Sequence, residues 1–154
     1  MNTSKKKSPA TSDAEKVESL DDLRQKINAV DAQLLALLNE RAALCLAVGR
    51  IKSASDDSIF KPFREKEVLE RLVQSNTGVL PEEQLRAIYR EILSSSRMLQ
   101  QPQKAVYLGP EGTFSYYAGV ELLGSSTDFE PCPSLQKVFT AVADGEAALG
   151  IIPL

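Results

Sequence analysis

Apolar side chains fall at alternating spacings of three and four along the first part of the chain: Leu20, Leu23, Ile27, Val30, Leu34, Leu37, Leu44, Val48 and Ile51. Arg41 occupies the one polar position in that stripe. A heptad-like pattern of this length, with no proline and only Gly49 inside it, predicts one helix over about residues 20–53. Ser19 and Asp22 form a capping-box-like pair at its start, with Asp in place of the usual Glu or Gln. At 1.5 Å per residue the helix is roughly 51 Å long, too long for the shorter helices that follow to cover it within one monomer.

A polar break at 54–58 precedes Pro62, which opens a second helix to about Gln74 with an apolar face of Val68, Leu69, Leu72 and Val73. Asn76-Thr77-Gly78 closes it. Pro81 opens a third helix to about Gln101, with Glu82 and Glu83 at the positive end of its dipole. Its stripe is Leu85, Ile88, Tyr89, Ile92, Leu93, Ser96 and Leu99, and Pro102 stops it. The texture then changes. Short apolar runs at 105–108, 128–131 and 149–152 alternate with helical stretches at 114–123 and 134–143, a βαβαβ order that predicts a parallel sheet. Two helices are expected to be too few to cover both faces of such a sheet. The fold class is therefore mainly α, three helices followed by a partial α/β segment. Residues 1–18, rich in Ser, Thr, Lys and acids, are expected to be a disordered tail.

Composition narrows the chemistry. The 154 residues carry a net charge of −3 and include no histidine. There is no global basic field for nucleic acid, and no apolar run of the length needed to span a membrane. Lys5, Lys6 and Lys7 are not followed by the apolar stretch of a signal peptide, so a cytoplasmic location is expected. Without histidine, Ser-His-Asp and Cys-His machinery and His-bearing zinc sites are excluded. Cys45 and Cys132 read as reduced thiols.

The informative residues are polar ones at core positions. Arg41 and Lys52 lie eleven residues apart, so they point within about 20° of each other. Their Cα atoms are about 16.5 Å apart along the axis. Two long cationic side chains so placed can hold a small anion between them. Glu65, beside Arg64, heads the apolar face of the second helix; Ser96 continues the stripe of the third, and Gln100 follows it by four. Polar groups from three helices thus face a shared interior. An internal salt-bridge network with cations reaching the rim fits this pattern. A pocket for a small anionic ligand fits it as well. Arg24 is 28 residues from Lys52, roughly 42 Å along one helix, and could share a ligand with it only across an antiparallel dimer.

Several segments resemble the all-α class of chorismate mutase. They are Leu23-Arg24-Gln25-Lys26-Ile27, Val30-Asp31, Leu37-Leu38, Glu40-Arg41, Val48-Gly49-Arg50-Ile51-Lys52, Arg64-Glu65 with Val68-Leu69, and Ile92-Leu93-Ser94-Ser95-Ser96. The resemblance covers about residues 19–101. Residues 106–115, with the loop Gly109-Pro110-Glu111-Gly112-Thr113, look like the opening of a prephenate dehydratase domain, and Gly150-Ile151-Ile152-Pro153 is similar to a later strand of it. The order is that of the bifunctional enzyme of phenylalanine biosynthesis. It implies a tail over 1–18, a mutase domain over 19–101 and an N-terminal dehydratase fragment over 102–154, expected to be incomplete and inactive as a dehydratase.

The resemblance implies an intertwined homodimer with two sites, each built from both chains, and a rearrangement of chorismate to prephenate that needs no metal or organic cofactor. It assigns Arg41, with Arg24 of the partner subunit, to carboxylate binding. Lys52 would hold a carboxylate and the ether oxygen, Gln100 would donate to the ether oxygen, and Glu65 would accept from the ring hydroxyl. Arg64 and Ser96 complete the lining. Lys61 stands where some members carry Asp and is given no role, and Gln101 is the alternative to Gln100 if the helical register slips by one. Thr113 and Ser115 are candidate ligands of an intact dehydratase site. Two other readings compete: a non-catalytic helical dimerisation module, with Arg41 and Lys52 in interface salt bridges, and a degenerate fragment of the bifunctional enzyme.

Overall fold

The computed structural model describes residues 19–53 and 61–154. The expected tail at 1–18 and the polar break at 54–58 lie outside the described residues. The chain divides into two compact units, Met1–Leu38 and Asn39–Leu154.

Helix α1 spans Leu20–Ser53. Its start is a reciprocal cap. The Asp22 amide donates to Ser19 Oγ at 3.2 Å, while the Ser19 amide and hydroxyl donate to Asp22 Oδ2 at 3.1 and 2.7 Å. These bonds from Ser19 hold the Asp22 carboxyl below its ordinary pKa. Ile27, Val30, Leu34 and Leu37 are each more than half exposed among the described residues.

Helix α2, Pro62–Ser75, begins with proline in its first turn, where a missing N–H costs nothing. Its stop differs from a glycine cap. Asn76 is extended, its side-chain Nδ2 donates to the Leu80 carbonyl at 2.7 Å, and its side-chain oxygen accepts from the Gly78 amide at 3.2 Å. Helix α3, Glu82–Gln100, follows Pro81, and Gln101 is already extended. Arg86 ties α3 to α2 through Glu70, at 3.2 and 3.3 Å. The buried face of α3 is Leu93, Ser94, Ser96 and Arg97, whereas Ile88 and Leu99 of the predicted stripe are exposed. The buried face is turned from the apolar stripe because the Ser94 and Arg97 edge of the helix packs on the segment that follows.

That segment is β1 (Lys104–Leu108), α4 (Phe114–Leu123), β2 (Asp128–Cys132), α5 (Leu135–Ala143) and β3 (Leu149–Ile151). The strands are parallel in the order β2-β1-β3, with Val106 opposite Glu130 on one side and Gly150 on the other. Thr113 and Ser134 cap α4 and α5 through their hydroxyls. One helix covers each face of the central strand, while the β2 edge stays exposed at Asp128, Glu130 and Pro131, as expected from two helices. On one face Val106 and Cys132 pack with Val138 and Ala141 of α5. On the other, Tyr107 packs against Tyr116 of α4 and Phe129 of β2, with ring centroids 5.5 and 6.4 Å away. Ala105, Val106 and Tyr107 are therefore all buried, and burial raises the Tyr107 pKa. A three-stranded sheet has only one interior strand, and one helix on each face is enough for it.

Candidate functional site

A cavity of about 400 Å³ opens among α1, α2 and α3 within the second unit. Its charged lining, among the described residues, is Arg41, Lys52, Lys61, Arg64, Arg97 and Glu65. Among the described residues, five cations and one carboxylate thus line it. Leu44, Val48, Val68 and Leu93 supply apolar wall, and Ser96 and Gln100 supply neutral polar groups. The volume is that of a small-molecule site, and most of its lining residues are polar.

Each element places its residues by helical period. Arg41, Cys45, Val48 and Lys52 follow one another down one face of α1 at spacings of four, three and four. The Arg41 Nη1 donates to the Ser96 hydroxyl, which in turn donates to the Ile92 carbonyl at 2.6 Å. A second contact runs from the same nitrogen to Cys45 Sγ at 3.8 Å. Ser96 therefore orients Arg41, a more specific part than general polar lining. Gln100 donates from Nε2 to the Ser96 carbonyl at 3.2 Å, and the amide's second hydrogen is outside that bond. Gly49 brings the two helices together here: a Cβ on it would lie 3.0–3.2 Å from Cα, Cβ and Cγ of Gln100. The register question resolves to Gln100, since Gln101 is exposed beyond the end of α3.

The structure thus brings Arg41, Lys52, Arg64, Glu65, Ser96 and Gln100 to one cavity. Arg24 lies in the first unit, exposed, with its Nη1 donating to Asp21 at 3.3 Å. Lys61, given no role by the sequence, is in the lining. Two residues were missed. Arg97 is buried, and its Nη1 sits between both Glu65 oxygens at 2.5 and 2.6 Å. Glu65 is therefore ion-paired within the wall. Gly49, in sequence a lone helical glycine, is the other, set against Gln100. Arg97 follows Leu93 by four and so adjoins the stripe, a signal that Glu65 across the cavity would have completed. In the second segment, Thr113 accepts from the Tyr116 amide at 3.5 Å as a cap, and Ser115 is buried.

Three helices thus enclose a cavity lined by several cations, and the longest of them carries an exposed apolar row. Residues 23–101 match the family model for chorismate mutase type II, and residues 105–154 match that for prephenate dehydratase. The chain belongs to the chorismate mutase type II family. It is 39% identical over 142 residues to the bifunctional chorismate mutase/prephenate dehydratase of Aquifex aeolicus, covering 90% of this chain and 39% of that protein. The proteins of the same name from Stutzerimonas stutzeri and Escherichia coli are 37% and 30% identical, covering 89% and 86% of this chain. The chain spans about 39% of the length of these curated relatives.

Proposed function

We propose that this chain rearranges chorismate to prephenate at the α1–α3 cavity. The observation that carries the reading is the convergence of Arg41, Lys52 and Arg64 on one small cavity with Gln100, in a chain matching the mutase family. The reaction is intramolecular. One C–O bond breaks, one C–C bond forms, and no proton or electron enters or leaves. What the protein supplies is shape and charge. Arg41, fixed by Ser96, and Arg64 hold the carboxylates and restrict the flexible substrate to a compact conformer. Lys52 and Gln100 face the ether oxygen, where negative charge grows as the C–O bond lengthens, so their bonds strengthen in the transition state. Glu65 accepts from the ring hydroxyl.

We further propose that two copies pair through the open stripe of α1 and that Arg24 of the partner subunit completes each site. The exposed apolar row and the family match support this pairing. Purified chain given chorismate should consume it, and Arg41→Ala or Lys52→Ala should abolish turnover while leaving a helical dimer. Mixing Arg24→Ala with Lys52→Ala chains should restore activity to about a quarter of the unaltered level, since half the dimers are mixed and each holds one intact site. No turnover above the uncatalysed rate by the unaltered chain refutes the function; no recovery on mixing refutes the shared site.

A further inference from the structure

The back of α3 is fastened to the end of α4. Glu91 accepts from the Ser125 amide at 3.0 Å and from its hydroxyl at 2.6 Å, and Arg90 bonds both the carboxylate and the carbonyl of Glu121. Gly124, at φ +77°, presses on Ser94 so closely that a Cβ there would lie 2.6 Å from the Ser94 Cβ. Arg97 is the next member of this row, and it alone among these residues also lines the cavity. Its Nη2 donates to the Leu123 carbonyl, the last of α4, while its Nη1 holds both oxygens of Glu65 on α2. The two ends of one planar guanidinium thus grip two different segments of the chain.

We propose that Arg97 is a positioning residue that couples the end of α4 to the substrate contact made by Glu65. The inference rests on the mutase reading for its kinetic half only. The α4 terminus sets where the guanidinium lies, and the guanidinium sets where the Glu65 carboxylate points. The ring hydroxyl that Glu65 would meet takes no part in bond making. Its contact is the same in substrate and transition state, so loosening it raises KM and leaves kcat in place. A residue that merely supports folding would instead lower the active fraction, cutting kcat at constant KM.

Two variants reach the coupling from opposite ends. Arg97→Lys keeps the charge but loses the fork. Gly124→Ala forces the α4 end away from Ser94 without touching any cavity residue. Each should raise KM for chorismate about tenfold with kcat little changed, and the double variant should be no worse than the more affected single one. Unmoved KM, a fall in kcat alone, or effects that multiply in the double variant would overturn the coupling. Hydrogen exchange reads it without substrate. In Gly124→Ala the α2 amides around Glu65 should exchange several-fold faster, and unchanged exchange there overturns the coupling whether or not the chain turns over chorismate. Absence of turnover by the unaltered chain with faster α2 exchange in the variant would sink the mutase reading and leave the coupling standing.

Discussion

Gly49→Ala tests the contact on which the proposed chemistry depends most closely. The added methyl would meet Gln100 Cα, Cβ and Cγ at 3.0, 3.1 and 3.2 Å, a few tenths of an ångström inside ordinary van der Waals contact. Two effects on stability oppose each other. Replacing a mid-helix glycine by alanine favours the helix by about 1 kcal/mol. Overpacking a close helix contact costs about 1–3 kcal/mol. The net change is a loss of about 0–2 kcal/mol, a fall in Tm of no more than roughly 8 °C for a protein of this size. Activity should respond more sharply. Gln100 is the group the methyl displaces, and its donation to the ether oxygen matters only as charge develops there. A shift of a few tenths of an ångström should therefore lower kcat about tenfold with KM nearly unchanged, since a full ångström of misplacement costs about 100-fold. Thermal unfolding and chorismate consumption, measured on the same preparation, read the two halves. Full kcat together with a raised Tm would show that α1 and α3 are not in tight contact at Gln100, and the reasoning would fail.

Two further predictions follow from the same structure. Gln100→Glu should cost about 100-fold or more in kcat at neutral pH, where a carboxylate repels the growing charge, and should regain activity on acidification as the acid form again donates; a pH profile parallel to that of the unaltered chain would remove Gln100 from the ether oxygen. The Lys104 ammonium, 2.5 Å from Glu130 across the β1–β2 pair, holds the Glu130 carboxyl below its ordinary value of 4.5. A depressed carboxylate contributes stability that is present above the unfolded value and lost as pH falls through the folded one. The urea midpoint of the unaltered chain should therefore exceed that of Glu130→Gln at pH 7 and converge on it below pH 4.5, whereas a constant gap would assign the effect to something other than the ion pair.

The helices were legible because local rules and burial agree in them. The Ser19–Asp22 cap, Pro62 and Pro81 place the three starts, and the spacing of three and four carries α1 to Ser53. Arg41 and Lys52 were legible as cations on an apolar face, where a charge needs a reason. Arg97 was not, because one of its partners is a backbone carbonyl 26 residues on, and a carbonyl leaves no mark in a side-chain pattern. Gly49 was equally silent: its meaning lies in the nearness of Gln100, which exists only once α1 and α3 are packed. The reach of Glu65 toward the cavity was legible, but the Arg97 pairing that holds it was not, since that exists only once α2 and α3 are packed.

The open stripe of α1 has a consequence for how this protein behaves in dilute solution. In the proposed pairing, Ile27, Val30, Leu34 and Leu37 are covered when a second copy docks, so the long helix and the completed site share one association equilibrium. Protein concentration then enters both the melting temperature and the specific activity by mass action. A docked chain that lacks Lys52 would still lend its Arg24 to its partner's site, whereas a chain that cannot dock would lend nothing.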